Sequence, residues 1–107
     1  MTTLALKQMS QGALTATTTT LLYTAPAGGA IIKEILLCNT DTTARTVTMY
    51  VGAGSAAGQT LLSAVNVNPG ETKFISLSTA MNASDTIKGG ASTTAVVACT
   101  ISGVELS

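Results

Sequence analysis

Arg45-Thr46-Val47-Thr48-Met49-Tyr50-Val51 alternates apolar and polar side chains through its length. Val47, Met49 and Val51 fall on one side of an extended chain, and Thr46, Thr48 and Tyr50 on the other. Successive side chains of a strand point to opposite faces, so this period of two reads as a half-buried β-strand. The residues around it share the same bias. Threonine occurs twenty times in the 107 residues, and with valine and isoleucine makes thirty-three. Branching at Cβ stiffens χ1 and suits a pleated, partly buried surface, which favours strands over helices.

Working outward, residues 30–39 (AIIKEILLCN) are the longest apolar run, apolar on both faces near its end, as in a strand paired centrally or covered twice. Ala25-Pro26-Ala27-Gly28-Gly29 precedes it as a turn and stops a short strand over 21–24. A polar turn at 39–43 separates it from 45–51. The loop GAGSAAG (52–58) leads into a strand at 60–67, and Asn68-Pro69-Gly70-Glu71 turns the chain into another at 72–78. After a turn at 81–85, a short strand begins at Thr86 and breaks at Gly89-Gly90. Residues 95–106 form the last strand, in which Gly103 marks a bulge or bend.

Seven or eight strands at intervals of roughly 8 to 15 residues, with no 3.6-residue apolar stripe, predict an all-β chain. The expected fold is a single antiparallel β-sandwich, Greek-key or jelly-roll-like in its wiring. It occupies residues 20–107. Residues 1–19, thin in bulk and ending in Thr17 to Thr20, are read as an extended N-terminal arm, either disordered or docked on a partner through Leu4, Leu6 and Met9.

Charge is sparse. Charged residues make up 9% of the chain against about 25% in ordinary soluble domains, and five cations balance five acids. Nucleic acid would need a clustered basic face, so none is expected as a partner. No apolar run approaches the ~18 residues of a membrane span, and MTTLALKQMS does not read as a secretion signal. Synthesis and assembly in a cytoplasm are expected, with the weakly charged surface covered by neighbouring subunits.

Chemistry is hard to assemble from these residues. Histidine is absent, so neither a Ser-His-Asp nor a Cys-His arrangement can form. Cys38 and Cys99 lie in apolar strands and read as small hydrophobes; a disulfide would need neighbouring strands and an oxidising compartment. Two cysteines without histidine do not close a zinc site. Glu34, Asp41, Glu71, Asp85 and Glu105 are scattered singly. Lys33 and Glu34, inside an apolar strand, read as edge charges or an intersubunit pair. GAGSAAG lacks the Gly-Lys-Ser/Thr ending of a phosphate loop, and Asn82-Ala83-Ser84 is a chance glycosylation match in a chain with no secretion signal. No enzyme activity, cofactor or metal is expected.

Several short segments together carry a resemblance. Leu22-Tyr23-Thr24-Ala25-Pro26-Ala27-Gly28, Cys38-Asn39-Thr40, Thr46-Val47-Thr48, Pro69-Gly70-Glu71-Thr72, Asp85-Thr86-Ile87 and Gly103-Val104-Glu105 stand in the order and spacing of small virion structural proteins of tailed phages. Over residues 21–107 the chain is similar to that group. The resemblance implies a β-sandwich building part, a virion location and no catalytic residues. Small size and few aromatics favour a capsid decoration protein that binds the assembled head, its major capsid protein the partner, as a homo-oligomer. A trimer would match local threefold positions. The alternative is a tail-fibre, collar or neck component that binds a host glycan or another virion protein, with Tyr23 and Tyr50 as stacking residues. Leu4, Leu6, Met9, Tyr23 and Tyr50 are therefore the expected interaction residues.

Overall fold

The computed structural model describes residues 4–106; Met1 to Thr3 of the expected arm and Ser107 lie outside them. Eight strands follow one another: β1 (Leu4–Ala13), β2 (Leu21–Thr24), β3 (Ala30–Asn39), β4 (Arg45–Gly52), β5 (Thr60–Val67), β6 (Thr72–Met81), β7 (Thr86–Ala91) and β8 (Val97–Leu106). They form two four-stranded sheets, ordered β1-β8-β3-β6 and β2-β7-β4-β5. Every pairing is antiparallel. Four of the pairs, β1 with β8, β2 with β7, β3 with β6 and β4 with β5, are those of one long hairpin folded at the β4–β5 loop. The chain is thus all-β, as the period-two pattern predicts. Among the described residues the one helical element is a short 3-10 turn at Ala57–Gln59.

One hydrophobic cluster draws on both sheets. Ile32, Ile35 and Leu37 of β3 and Val97, Cys99 and Ile101 of β8 join Val47 and Met49 of β4, Val67 of β5 and Ile87 of β7. These positions alternate along each strand, so the pleat sends every second side chain inward. The core is aliphatic; Tyr23 is its one aromatic member.

Within this core lies one buried polar side chain, Asn39. Its Nδ2 donates to the carbonyls of Thr43 (2.9 Å) and Val67 (3.0 Å), and its Oδ1 accepts from the Asp41 amide (2.9 Å). Its backbone amide donates to Glu71 and its carbonyl accepts from Gly70. A residue read as the start of a polar turn is therefore the tie between the end of β3, the 40–44 turn, the end of β5 and the turn before β6. Burial is tolerated because each polar group has a partner.

Three local expectations change. Residues 4–13 are not too thin to build an element: they pair with β8 from Leu4↔Leu106 to Ala13↔Ala98, and Met9 and Leu14 enter the core. Main-chain hydrogen bonds supply this edge strand, and they need no side-chain bulk. The segment behind it continues the pairing, because Thr15 and Thr20 carbonyls accept from the Ala91 and Gly89 amides. Gly89-Gly90 does not break β7 but lies inside it. A Cβ on Gly90 would sit 2.5 Å from the Thr17 carbonyl oxygen, so the missing side chain admits the 15–17 backbone across the strand. Lys33 and Glu34 are not edge charges, because β3 lies between β8 and β6.

Gly103 does sit among bulges, which lie on the flanking strands. Met9 is the extra residue on β1 opposite Ser102/Ile101, and Lys33 the extra residue on β3 opposite Gly103/Ser102. A Cβ on Gly103 would fall 2.1 Å from the Ile31 carbonyl oxygen and 2.6 Å from the Met9 Cε. Both bulges thus converge on a site that holds no side chain. Gly103→Ala should lower the urea midpoint by the equivalent of about 2 kcal/mol or more, the scale of an overpacked core whose obstacle is backbone. Gly58→Ala, with nothing within 4 Å of the added carbon, should leave the midpoint within about 0.5 kcal/mol of wild type. Equal midpoints for the two variants would contradict the close approach.

Candidate interaction surface

The two sheets differ in what their outer faces carry. On the second sheet, the outward positions Thr46, Thr48 and Tyr50 of β4 pair with Asn66 and Thr60 of β5 and with Gly90 and Lys88 of β7. That face is polar apart from Leu21, which lies opposite Lys88. On the first sheet, the outward positions are apolar toward two corners, which a polar middle row of Gln8, Ser102, Glu34 and Ser76 separates. Leu4 and Leu6 on β1 stand beside Leu106 and Val104 on β8, and Val104 beside Ile31 on β3. Toward the other end, Leu36 on β3 pairs with Phe74 on β6. Leu6 is 92% exposed, Phe74 68% and Leu4 67%. Exposed apolar side chains are ordinary when single; here Leu4, Leu6, Val104, Leu106 and Ile31 cluster across three strands, and Leu36 and Phe74 form a second, smaller cluster.

Lys33 and Glu34 supply the charge on this face. Glu34 pairs with Ser102 and Ser76, both outward, and is half-buried. Lys33, pushed out by the bulge, is exposed and donates from Nζ to Ser78 Oγ at 2.8 Å. The bulge therefore brings two opposite charges together in the polar middle of this face, between its two apolar corners.

Of the five expected interaction residues, Leu4 and Leu6 lie on this surface. Met9 and Tyr23 do not: both are core members, so neither is available to a partner in the folded chain. Met9 turns inward by simple alternation from Leu4, Leu6 and Gln8, and the bulge at this point then sets Gln11 on the outer side. Tyr23 packs into the core and its hydroxyl donates to Glu105 Oε2. Tyr50 is half-buried on the outer face of the second sheet. Phe74, which residue type alone would place with Tyr23 and Tyr50 among the aromatics of the core, is instead the large exposed aromatic. Its signal was present, since Phe74 alternates with Ile75 and Leu77, but the sequence does not say which of the two sides faces out.

Reactive groups are correspondingly quiet. Cys38 and Cys99 lie on adjacent strands, with Cys38 opposite Ala98 and Leu37 opposite Cys99, and both thiols are free. Neighbouring strands do not suffice for a bridge here, because one thiol points outward and the other into the core. Burial pushes the Cys99 thiol up to about 12. Asp41 is held below the usual carboxylate range, first by hydrogen bonding from Arg45, whose Nε lies 2.9 Å and Nη2 2.5 Å from Oδ2, and then by the Thr42 amide. This pair fastens the β3–β4 turn. In the 52–59 loop the Gln59 side chain accepts from the Ala56 amide at 3.0 Å, so the small residues wrap an amide group. Among the described residues no cavity opens, and no three metal-ligating side chains gather.

Searches of the sequence against protein-family models and against curated proteins find no match.

Two solution measurements follow. Burial, then the hydrogen bond to Glu105, raises the Tyr23 phenol above its ordinary 10.0. The folded state then holds this proton more tightly than the unfolded one. Its contribution to stability is complete below about pH 10 and falls as pH rises beyond it. Tyr23→Phe should cost about 1 kcal/mol at pH 7 and flatten the alkaline decline of the denaturation midpoint. An alkaline decline as steep as wild type in the variant would refute the assignment. An aromatic disulfide reagent at pH 8 should label Cys99 only after denaturant is added; native labelling would show that the thiol is not enclosed.

Proposed function

We propose that this chain is a structural component of a tailed-phage particle, a capsid decoration protein that binds the assembled head as a homo-oligomer. The observation that carries the reading is the pair of exposed apolar corners, Leu4–Leu6 and Phe74, on the outer face of the β1-β8-β3-β6 sheet. A chain with 9% charged residues and zero formal net charge needs such a face covered in order to remain dispersed. Burial against sister subunits and the major capsid protein would supply that cover. Short resemblances along residues 21–107 to small virion proteins point the same way. The protein works by shape and copy number and carries out no reaction in this reading.

The fold that suits the role is a single jelly-roll sandwich. The hairpin-like pairing of β1 with β8 through β4 with β5, divided between two sheets around one aliphatic cluster, is the wiring expected of a long ribbon rolled on itself. Three copies around a local threefold axis would match both a capsid lattice and a closed ring. Residues 4–13 then belong to the sandwich rather than to a separate tether, so self-association rests on the sheet face. A partner that binds only the folded oligomer stabilises it by mass action.

A tail-fibre, collar or neck component that binds a host glycan or another virion protein is the second reading. It is favoured by Tyr50, which lies beside Lys88 and Leu21 on the polar face and offers a ring edge to a sugar. Quantifying the chain in purified particles separates the two. Hundreds of copies per particle are expected for head decoration, and a handful would favour the tail or collar. Absence from every particle would overturn both.

A further inference from the structure

We infer that the occupant of the outer face of the first sheet is a second copy of this chain, with the Leu4–Leu6 corner of one copy seated on the Phe74 corner of the other. The inference rests on the proposed self-association and adds the surface and the contact to it.

Size is the first argument. The four strands of this sheet each have ten residues. At about 4.8 Å between strands and about 3.3 Å per residue they make a face of roughly 600 Å² in plan. Projecting side chains add to that figure. A specific interface buries about 800 Å² on each partner, so the face is of the size one copy needs to hold another. The threonine-rich face of the second sheet offers no comparable apolar area.

Position is the second. Leu4 and Leu6 lie on one edge strand, opposite Leu106 and Val104 at the end of β8. Phe74 lies on the other edge strand, in the row that runs through Leu36 and Thr100 to Gln11 near the opposite end of β1. The most exposed apolar groups thus occupy diagonally opposite corners of one face. An in-plane twofold axis places each corner over the other, and a closed ring joins them head to tail. Charge is the third. Lys33 and Glu34 are adjacent and opposite in sign near the centre of the face, so a second copy brings its own Glu34 toward Lys33 and its own Lys33 toward Glu34. A foreign partner would have to supply that pattern; a sister copy has it already.

Sedimentation velocity on the full purified chain tests this, with circular dichroism to confirm that each variant stays folded. Wild type should run as an oligomer at micromolar concentration. Leu6→Glu and Phe74→Glu should each weaken association by about thirty-fold or more, the effect of losing a central apolar anchor. Leu21→Glu, on the outer face of the other sheet, should leave it unchanged. For the contact itself, Leu6→Cys chains and Phe74→Cys chains, each also carrying Cys38→Ser, are mixed and oxidised. The mixed disulfide should exceed both like-with-like products. A monomeric wild type, an oligomer broken by Leu21→Glu but not by Leu6→Glu or Phe74→Glu, or a predominance of like-with-like bridges would each overturn the inference. Particle content is read separately: an oligomer dispersed by Leu6→Glu but missing from every particle upholds this contact while the particle reading fails.

Discussion

Strand β8 is paired along its length on both sides, with β1 and with β3, and the rest of the molecule depends on that double pairing. It joins the two ends of the chain, so the outermost turn of the rolled ribbon closes only when residues 4–13 find residues 97–106. The closure is tight. Gly103 lies where both flanking strands carry an extra residue, and the Ile31 carbonyl and Met9 methyl occupy the space a side chain would fill. The bulges in turn decide which residues face outward. Without the extra residue at Met9, Ser10 would have shared the outer side with Leu4 and Leu6; with it, Ser10 stands opposite the core residue Ile101 and Gln11 takes the outer side.

Because most contacts join residues far apart in the chain, local preferences alone do not hold this fold. Long-range pairing is laid down before its side chains are rewarded, which favours sequences whose strands specify one register. Here the register is pinned by alternation in β3, β4 and β8, by the bulges, and by Asn39, which satisfies three carbonyl and amide groups at one end of the core. A single buried amide with every group partnered specifies geometry that interchangeable aliphatic side chains cannot.

The same economy shapes the surface. Of the two outer faces, the second sheet's carries Thr46, Thr48 and Thr60, and the first sheet's carries the exposed Leu4, Leu6 and Phe74. Threonine suits a solvated sheet, since its branched side chain fits the pleat while its hydroxyl stays wet. The apolar corners have no such solution in water, and they make self-association and attachment to a larger body the reading that fits the molecule best. The few charges are used locally: Arg45 clamps Asp41 in a turn, and Lys33 and Glu34 mark the polar middle of the first sheet's outer face.

Strand identity was legible in the residues themselves. The alternation at 45–51, the Asn68-Pro69-Gly70-Glu71 turn and the absence of a helical stripe were sufficient for an all-β chain, because side-chain period and turn chemistry are local properties. Tertiary structure decided what depends on a partner strand. It made 4–13 an edge strand, which only β8 could provide, and carried β7 through Gly89-Gly90, which only the crossing 15–17 backbone explains. It buried Tyr23 and Met9 while leaving Phe74 exposed. Alternation tells which residues share a side, but a bulge resets that side, and only the packing of one sheet on another settles which side is water.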